Sequence, residues 1–236
     1  MNMRKTGLWT SLAAGTLLTA ASAAQAVVVL DFENIAPYPN NNSVFVQDYY
    51  NGGTSSLGTS GTDYGVSFGS NALLVCLNST SVFCSNASHG GTDPGSEQSG
   101  LFFLSGTETY MNVAAGFDTG FSFNYVSLSY SGSVQVYDGL DGTGNLLATI
   151  NLSPNAGSCP GYGAQFCPFG PAGVSFAGVA RSVAFGGVAN QIAFDDITFG
   201  SATPGLPVPE PETYAMMLAG LGFVGAAARR RQRRAA

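Results

Sequence analysis

Ser133-Val134-Gln135-Val136-Tyr137-Asp138-Gly139-Leu140-Asp141-Gly142-Thr143-Gly144-Asn145-Leu146-Leu147-Ala148-Thr149-Ile150-Asn151-Leu152 is the stretch from which the fold is read. Val134 and Val136 alternate with Ser133, Gln135 and Tyr137, the two-residue period of a half-buried strand. Leu146 to Leu152 ends in a similar alternation, Ile150 and Leu152 around Asn151. Between the two runs lie three glycines, two aspartates and an asparagine, residues that tolerate the tight backbone of a turn, so 133–152 predicts a β-hairpin.

Working outward, Val27–Glu33 sets Leu30 and Phe32 on one face and Asp31 and Glu33 on the other. Ser43–Val46, Gly65–Phe68, Leu73–Val75, Leu101–Leu104 and Tyr110–Val113 are further short candidate strands, and Ser182–Phe185 and Gln191–Phe199 are the last. Phe121–Tyr130 alternates too, but its apolar parity changes at Tyr125-Val126, which predicts a bulge or a strand end there. Parity also flips between Phe194 and Ile197, which places a bulge at Asp195-Asp196. Residues 52–62, rich in Gly, Ser and Thr, read as a long exposed loop. No segment of residues 27–203 carries a sustained 3.6-residue apolar period with caps. The expected fold is all-β, a two-sheet sandwich of the jelly-roll kind with eight to ten strands.

Of 236 residues 45% are hydrophobic and only 9% charged, with 32 glycines, which excludes a polyelectrolyte tail and a coiled coil. The net charge of −6 is unevenly spread. Residues 27–203 hold twelve acids and a single base, Arg181, whereas both ends are basic. A body this acidic repels phosphate backbones, so nucleic acid is excluded as a partner.

The ends read as addresses. Residues 1–26 have Arg4 and Lys5, an apolar stretch and a closing Ala24-Gln25-Ala26, the order of a signal peptide cut after Ala26; such a segment implies the Sec translocon and signal peptidase as partners. Residues 27–203 form the exported domain. Residues 204–212 are a proline-punctuated linker containing Val208-Pro209-Glu210-Pro211. Residues 213–228 are uncharged and read as a transmembrane helix of about 24 Å, a little short for a core of about 30 Å. Arg229, Arg230, Arg231, Arg233 and Arg234 in the tail 229–236 place that end on the cytoplasmic side.

The Pro-Glu-Pro motif, the short Gly/Ala-rich helix and the terminal arginines, in that order, closely resemble the PEP-CTERM sorting signal of Gram-negative bacteria that make extracellular polysaccharide. The resemblance covers about the last thirty residues. It implies processing by an exosortase, an integral-membrane cysteine protease that cuts near Pro-Glu-Pro, and a final place at the cell surface or in a biofilm matrix. The same tail also occurs on some ice-binding proteins. From Tyr137 to Phe199 the body is in addition similar to the carbohydrate-binding-like jelly rolls often joined to this tail, where a similar Asp-Asp pair sits in the final strand.

Four cysteines fall as Cys76/Cys84 and Cys159/Cys167, each pair bracketing one loop, and an oxidising destination favours two local disulfides over the other connectivities and over zinc. The single histidine of the body, His89, lies in a loop near Asp93. No G-x-S-x-G elbow offers it a nucleophile, so it reads as surface decoration. Oxygen chemistry is better supplied than nitrogen or sulfur chemistry. If the first and last strands run side by side, Glu33 and Asp31 meet Asp195 and Asp196, a donor set suited to structural Ca²⁺. Tyr38, Tyr49, Tyr50 and Tyr162 are loop tyrosines that could stack on sugars. Thr59-Ser60-Gly61-Thr62 has no ladder period for ice. The expected function is a non-enzymatic, polysaccharide-associated surface protein, with a secreted polysaccharide hydrolase or an ice-binding-type surface protein as the alternative.

Overall fold

The alternating stretches become eleven strands in a computed structural model that describes residues 27–40, 43–84, 88–91, 96–161 and 164–205. The signal peptide, the 213–228 segment, the arginine tail and most of the linker lie outside the described residues. Among the described residues there is no helix, and so none long and apolar enough to cross a membrane.

The strands are β1 (Val28–Leu30), β2 (Val66–Phe68), β3 (Leu73–Cys76), β4 (Ser99–Phe102), β5 (Glu108–Phe117), β6 (Gly120–Ser127), β7 (Gly132–Tyr137), β8 (Leu146–Leu152), β9 (Gly170–Ser175), β10 (Ala180–Gly186) and β11 (Ile192–Phe199). All pairings are antiparallel. The first sheet runs β3-β4-β11-β6-β9, with β1 also on β11, and the second runs β2-β5-β10-β7-β8. From β4 to β11 the chain changes sheet at every connection except the β7–β8 hairpin. In that hairpin Val134 faces Ile150. Its loop is closed by the Asp138 N–H on the Asn145 carbonyl at 3.2 Å, and it turns through left-handed Asp141 and Gly142, φ 51° and 67°. Aspartate and glycine accept that region at little cost.

Between the sheets the core is phenylalanine-rich. Phe121 and Phe123 of β6, Phe185 of β10 and Phe194 of β11 are fully buried. Phe185 and Phe194 meet edge to face with centroids 4.9 Å apart, and Phe123 and Phe194 at 5.3 Å. A second apolar cluster covers the opposite face of the first sheet. Leu73, Val75, Phe102, Val126 and Ala193 pack there with Phe169 and the Cys76–Cys84 pair. Both expected disulfides form, with Cα–Cα separations of 5.9 and 5.2 Å, and none of the cysteines is free. Residues 88–90 stitch the two disulfide loops together: the Asn78 N–H donates to the His89 carbonyl at 2.7 Å, and the Phe166 N–H to the Ser88 carbonyl at 2.9 Å.

This second cluster corrects one expectation. β6 neither bulges nor ends at Tyr125-Val126, and its register with β11 is unbroken from Asn124 to Ser127. The parity changes because both faces are covered there, Tyr125 packing toward the inter-sheet core and Val126 into the outer cluster. Ser43–Val46 is not a strand, for Phe45 makes only an isolated bridge to Leu73. β1 stops at Leu30 rather than Glu33, since Phe32 and Asn34 take left-handed backbone at φ 57° and 62°. β9 was not expected at all. Its Gly170-Pro171-Ala172-Gly173 start has no apolar alternation to display, and it extends the strand total beyond ten.

Candidate functional site

β1 pairs with β11, Leu30 opposite Ile197, so the first and last strands do lie side by side. Just past that pair the two acidic segments converge. The register of β11 on β6 slips by one residue between Asp195 and Thr198, and Asp196 takes φ 48°, the bulge expected at this pair. The extra residue separates the two carboxylates. Asp195 turns inward and is fully buried, whereas Asp196 turns to Asn124, whose Nδ2 donates to Oδ2 at 2.9 Å.

The acids are held from a third direction by the segment before β4. Glu33 is buried, and its Oε1 accepts the Gln98 N–H at 2.9 Å and the Ser99 N–H at 3.2 Å. Ser96 Oγ reaches both carboxylate oxygens of Asp195, at 3.3 and 3.2 Å, and Asp195 Oδ1 also accepts its neighbour's amide, Asp196 N–H, at 2.8 Å. Tyr50 closes the site from below, its hydroxyl accepting the Phe32 N–H at 2.9 Å. Ser96, Gln98, Ser99, Tyr50 and Asn124 carry no motif in the sequence; they join the site through contacts between distant segments.

The electrostatics follow from carboxylates gathered with little water. Desolvation lifts the Glu33 carboxyl to about 7, against the pull of the two backbone N–H groups, with Asp31 and Asp196 adding repulsion. Burial pushes Asp195 well above the usual carboxylate range, and Asp196 pushes it further. Asp31 keeps an exposed side chain, yet the protein packed about its carboxyl raises it as well. The one base of the body, Arg181, lies on β10 in the other sheet. Among the described residues no three His, Cys, Asp or Glu side chains converge as a ready metal-ligand set.

Glu33 forms a wall between two concavities. One, of about 220 Å³, is lined by Asp31, Asn34, Tyr49, Thr62 and Tyr64, and the other, of about 250 Å³, by Tyr38, Ser79, Glu97 and Gln98. The expected stacking tyrosines do not serve as open platforms. Tyr49 and Tyr50 are buried against each other at 4.8 Å, because their rings complete the core beside Phe32 and Phe68. Tyr38 is half-buried with its hydroxyl donating to the Leu77 carbonyl at 2.6 Å, and Tyr162 lies outside the described residues. The open ring is Tyr64, 40% exposed at the rim of the first concavity.

His89 is not surface decoration. Its ring packs on Phe166 at 5.7 Å, and its Nδ1 is buried without a hydrogen-bond partner among the described residues. Desolvation therefore lowers it to about 4.

Residues 207–232 match the PEP-CTERM protein-sorting motif. That motif takes in Val208, Pro209, Glu210 and Pro211 and three of the five terminal arginines, Arg229, Arg230 and Arg231, and ends at Gln232. It marks an exported protein processed by exosortase, which fits a cell-surface or extracellular location. No curated protein matches the chain at a significant level.

Proposed function

We propose that this is a surface or extracellular-matrix protein of a Gram-negative bacterium, delivered by the sorting tail, whose body is a non-catalytic polysaccharide-binding sandwich. The alternation of strands between sheets from β4 to β11 supports a jelly-roll description of that body. The observation that carries the ligand class is the first concavity, where the open Tyr64 ring stands beside the Asp31 carboxylate, the Asn34 amide and the Thr62 hydroxyl. A planar ring with polar groups around it suits a sugar, whose faces are apolar and whose rim is hydroxylated.

Calcium fits the donor chemistry of the same region, since Glu33, Asp195, Asp31 and Asp196 supply hard oxygens. Binding would draw on backbone carbonyls beside these carboxylates, given that no three of the side chains converge. A glycan array probed with the refolded body, with Tyr64→Ala as control, tests the reading. Binding lost in Tyr64→Ala supports it, and no binding to any polysaccharide with or without calcium counts against it.

One observation favours a second reading. Glu33 near 7 beside Asp31 has the proton affinity of a general acid at neutral pH, as a polysaccharide hydrolase requires. Reducing-end release abolished by Glu33→Gln would establish that activity instead.

A further inference from the structure

Both ends of the body leave the sandwich on one side. Val28 pairs with Phe199, so β1 starts where β11 finishes. The turns joining β5 to β6 and β9 to β10 lie at this same end, tied by the Phe176 N–H on the Thr119 carbonyl at 3.3 Å.

Beyond β11 the chain does not depart at once. The Gly200 N–H donates to the Gly120 carbonyl at 3.0 Å, and Ser122 Oγ donates to the Ser201 carbonyl at 3.0 Å. Ala202 then crosses the outer face of the first sheet over two glycines: a Cβ at Gly120 would lie 2.6 Å from its nitrogen, and one at Gly173 would run into its carbonyl oxygen. The Ser201 hydroxyl on the Thr203 carbonyl, at 2.9 Å, closes this strap.

From Thr203 to Pro209 is only six residues, about 22 Å at full stretch. The opposite end, where Leu104 and Val188 are exposed, lies about 20 Å further along the strands, the length of β11 from Thr198 back to Ile192. Pro-Glu-Pro would reach it only by lying flat and taut along the sheet. A span of that length would cover the distance to the Asp118–Thr119 and Phe176–Val179 turns with slack.

We infer that the exosortase meets the folded body at the end formed by these two turns and the 200–203 strap, and that the strap is the fixed origin of a tether short enough to select that face. The inference rests on the reading that exosortase cuts the tail.

The test uses the full chain expressed with an exosortase whose catalytic cysteine is replaced, so that precursor accumulates. A photo-reactive amino acid is placed at Asp118 or Val179, and in parallel at Leu104 or Val188. Cross-linking to the protease about tenfold stronger from the first pair is expected, and a Gly/Ser insertion of twenty residues between Thr203 and Pro204 should bring the two pairs toward equality. Equal cross-linking from both pairs in the parent chain, none from either, or a bias unchanged by the insertion would overturn the inference. Failure of the inactive protease to accumulate precursor would instead overturn the processing reading beneath it.

Discussion

Glu33 Oε1 accepts the Gln98 N–H at 2.9 Å across 65 residues of chain, joining the turn that follows β1 to the segment that leads into β4. The carboxyl making this bond is also the one that desolvation lifts from 4.5 to about 7. An acid bound more tightly by its proton in the folded state stabilises the fold fully below its unfolded value, and that stabilisation is lost as pH rises from about 4.5 to 7. In calcium-free buffer the melting temperature should therefore fall across this window. Glu33→Gln should flatten the fall, leaving the part due to Asp195 and Asp31, whose carboxyls are raised in the same direction. Thermal melts of both proteins at pH 4.5 and 7.5 check this, and a parent melting temperature that climbs with pH would refute it.

Calcium should reverse that slope, because it competes with protons for the same oxygens. At a hundredfold excess over its dissociation constant the ion adds about 2.7 kcal/mol, or roughly 5–10 °C for a domain of this size. Asp195→Asn should remove the shift. Calorimetry showing neither heat nor a melting change in the parent would exclude the site.

Phe194 touches Phe123 and Phe185 edge to face at the centre of the core. Phe194→Ala should cost about 3–5 kcal/mol in urea unfolding, whereas Phe83→Ala, at a ring 63% exposed, should stay within about 0.5. Comparable losses at the two positions would mean the core is misplaced.

The Cys159–Cys167 bond closes an eight-residue separation just before Phe169, which packs in the outer cluster. Replacing both cysteines with serine should cost about 2–3 kcal/mol, and the parent should show no thiol titre when denatured without reductant. Two thiols per chain would show that one bridge is not formed.

The hairpin at 133–152 and the β11 bulge were legible because each is written in local alternation, and Asp196 at φ 48° confirms the parity break at that position. The pairing of β1 with β11 could be anticipated from the architecture alone; Asp31, Glu33, Asp195 and Asp196 lie close enough to repel one another, but no three of them converge as a metal-ligand set. What escaped was of three kinds. Val126 looked out of phase because a second apolar layer under the disulfide loops buries the face that alternation assigns to water. Ser96, Gln98 and Asn124 donate to Asp195, Glu33 and Asp196 across 99, 65 and 72 residues, and nothing in their immediate sequence distinguishes them from other polar loop or strand residues. Nothing in the sequence separates Tyr64 from Tyr49 and Tyr50, because a loop position says nothing about which ring turns inward.

β9 finishes its sheet, and an edge strand offers unpaired backbone to any neighbour that presents the same surface. Proteins delivered to a cell surface crowd together, which makes edge-to-edge polymerisation a hazard of the location. Pro171, opposite Asn124, has no N–H to offer a stranger, and Gly170 and Gly173 give it no side chain to grip. The strand whose composition hid it from view is thus suited to keeping one copy of the molecule from templating the next.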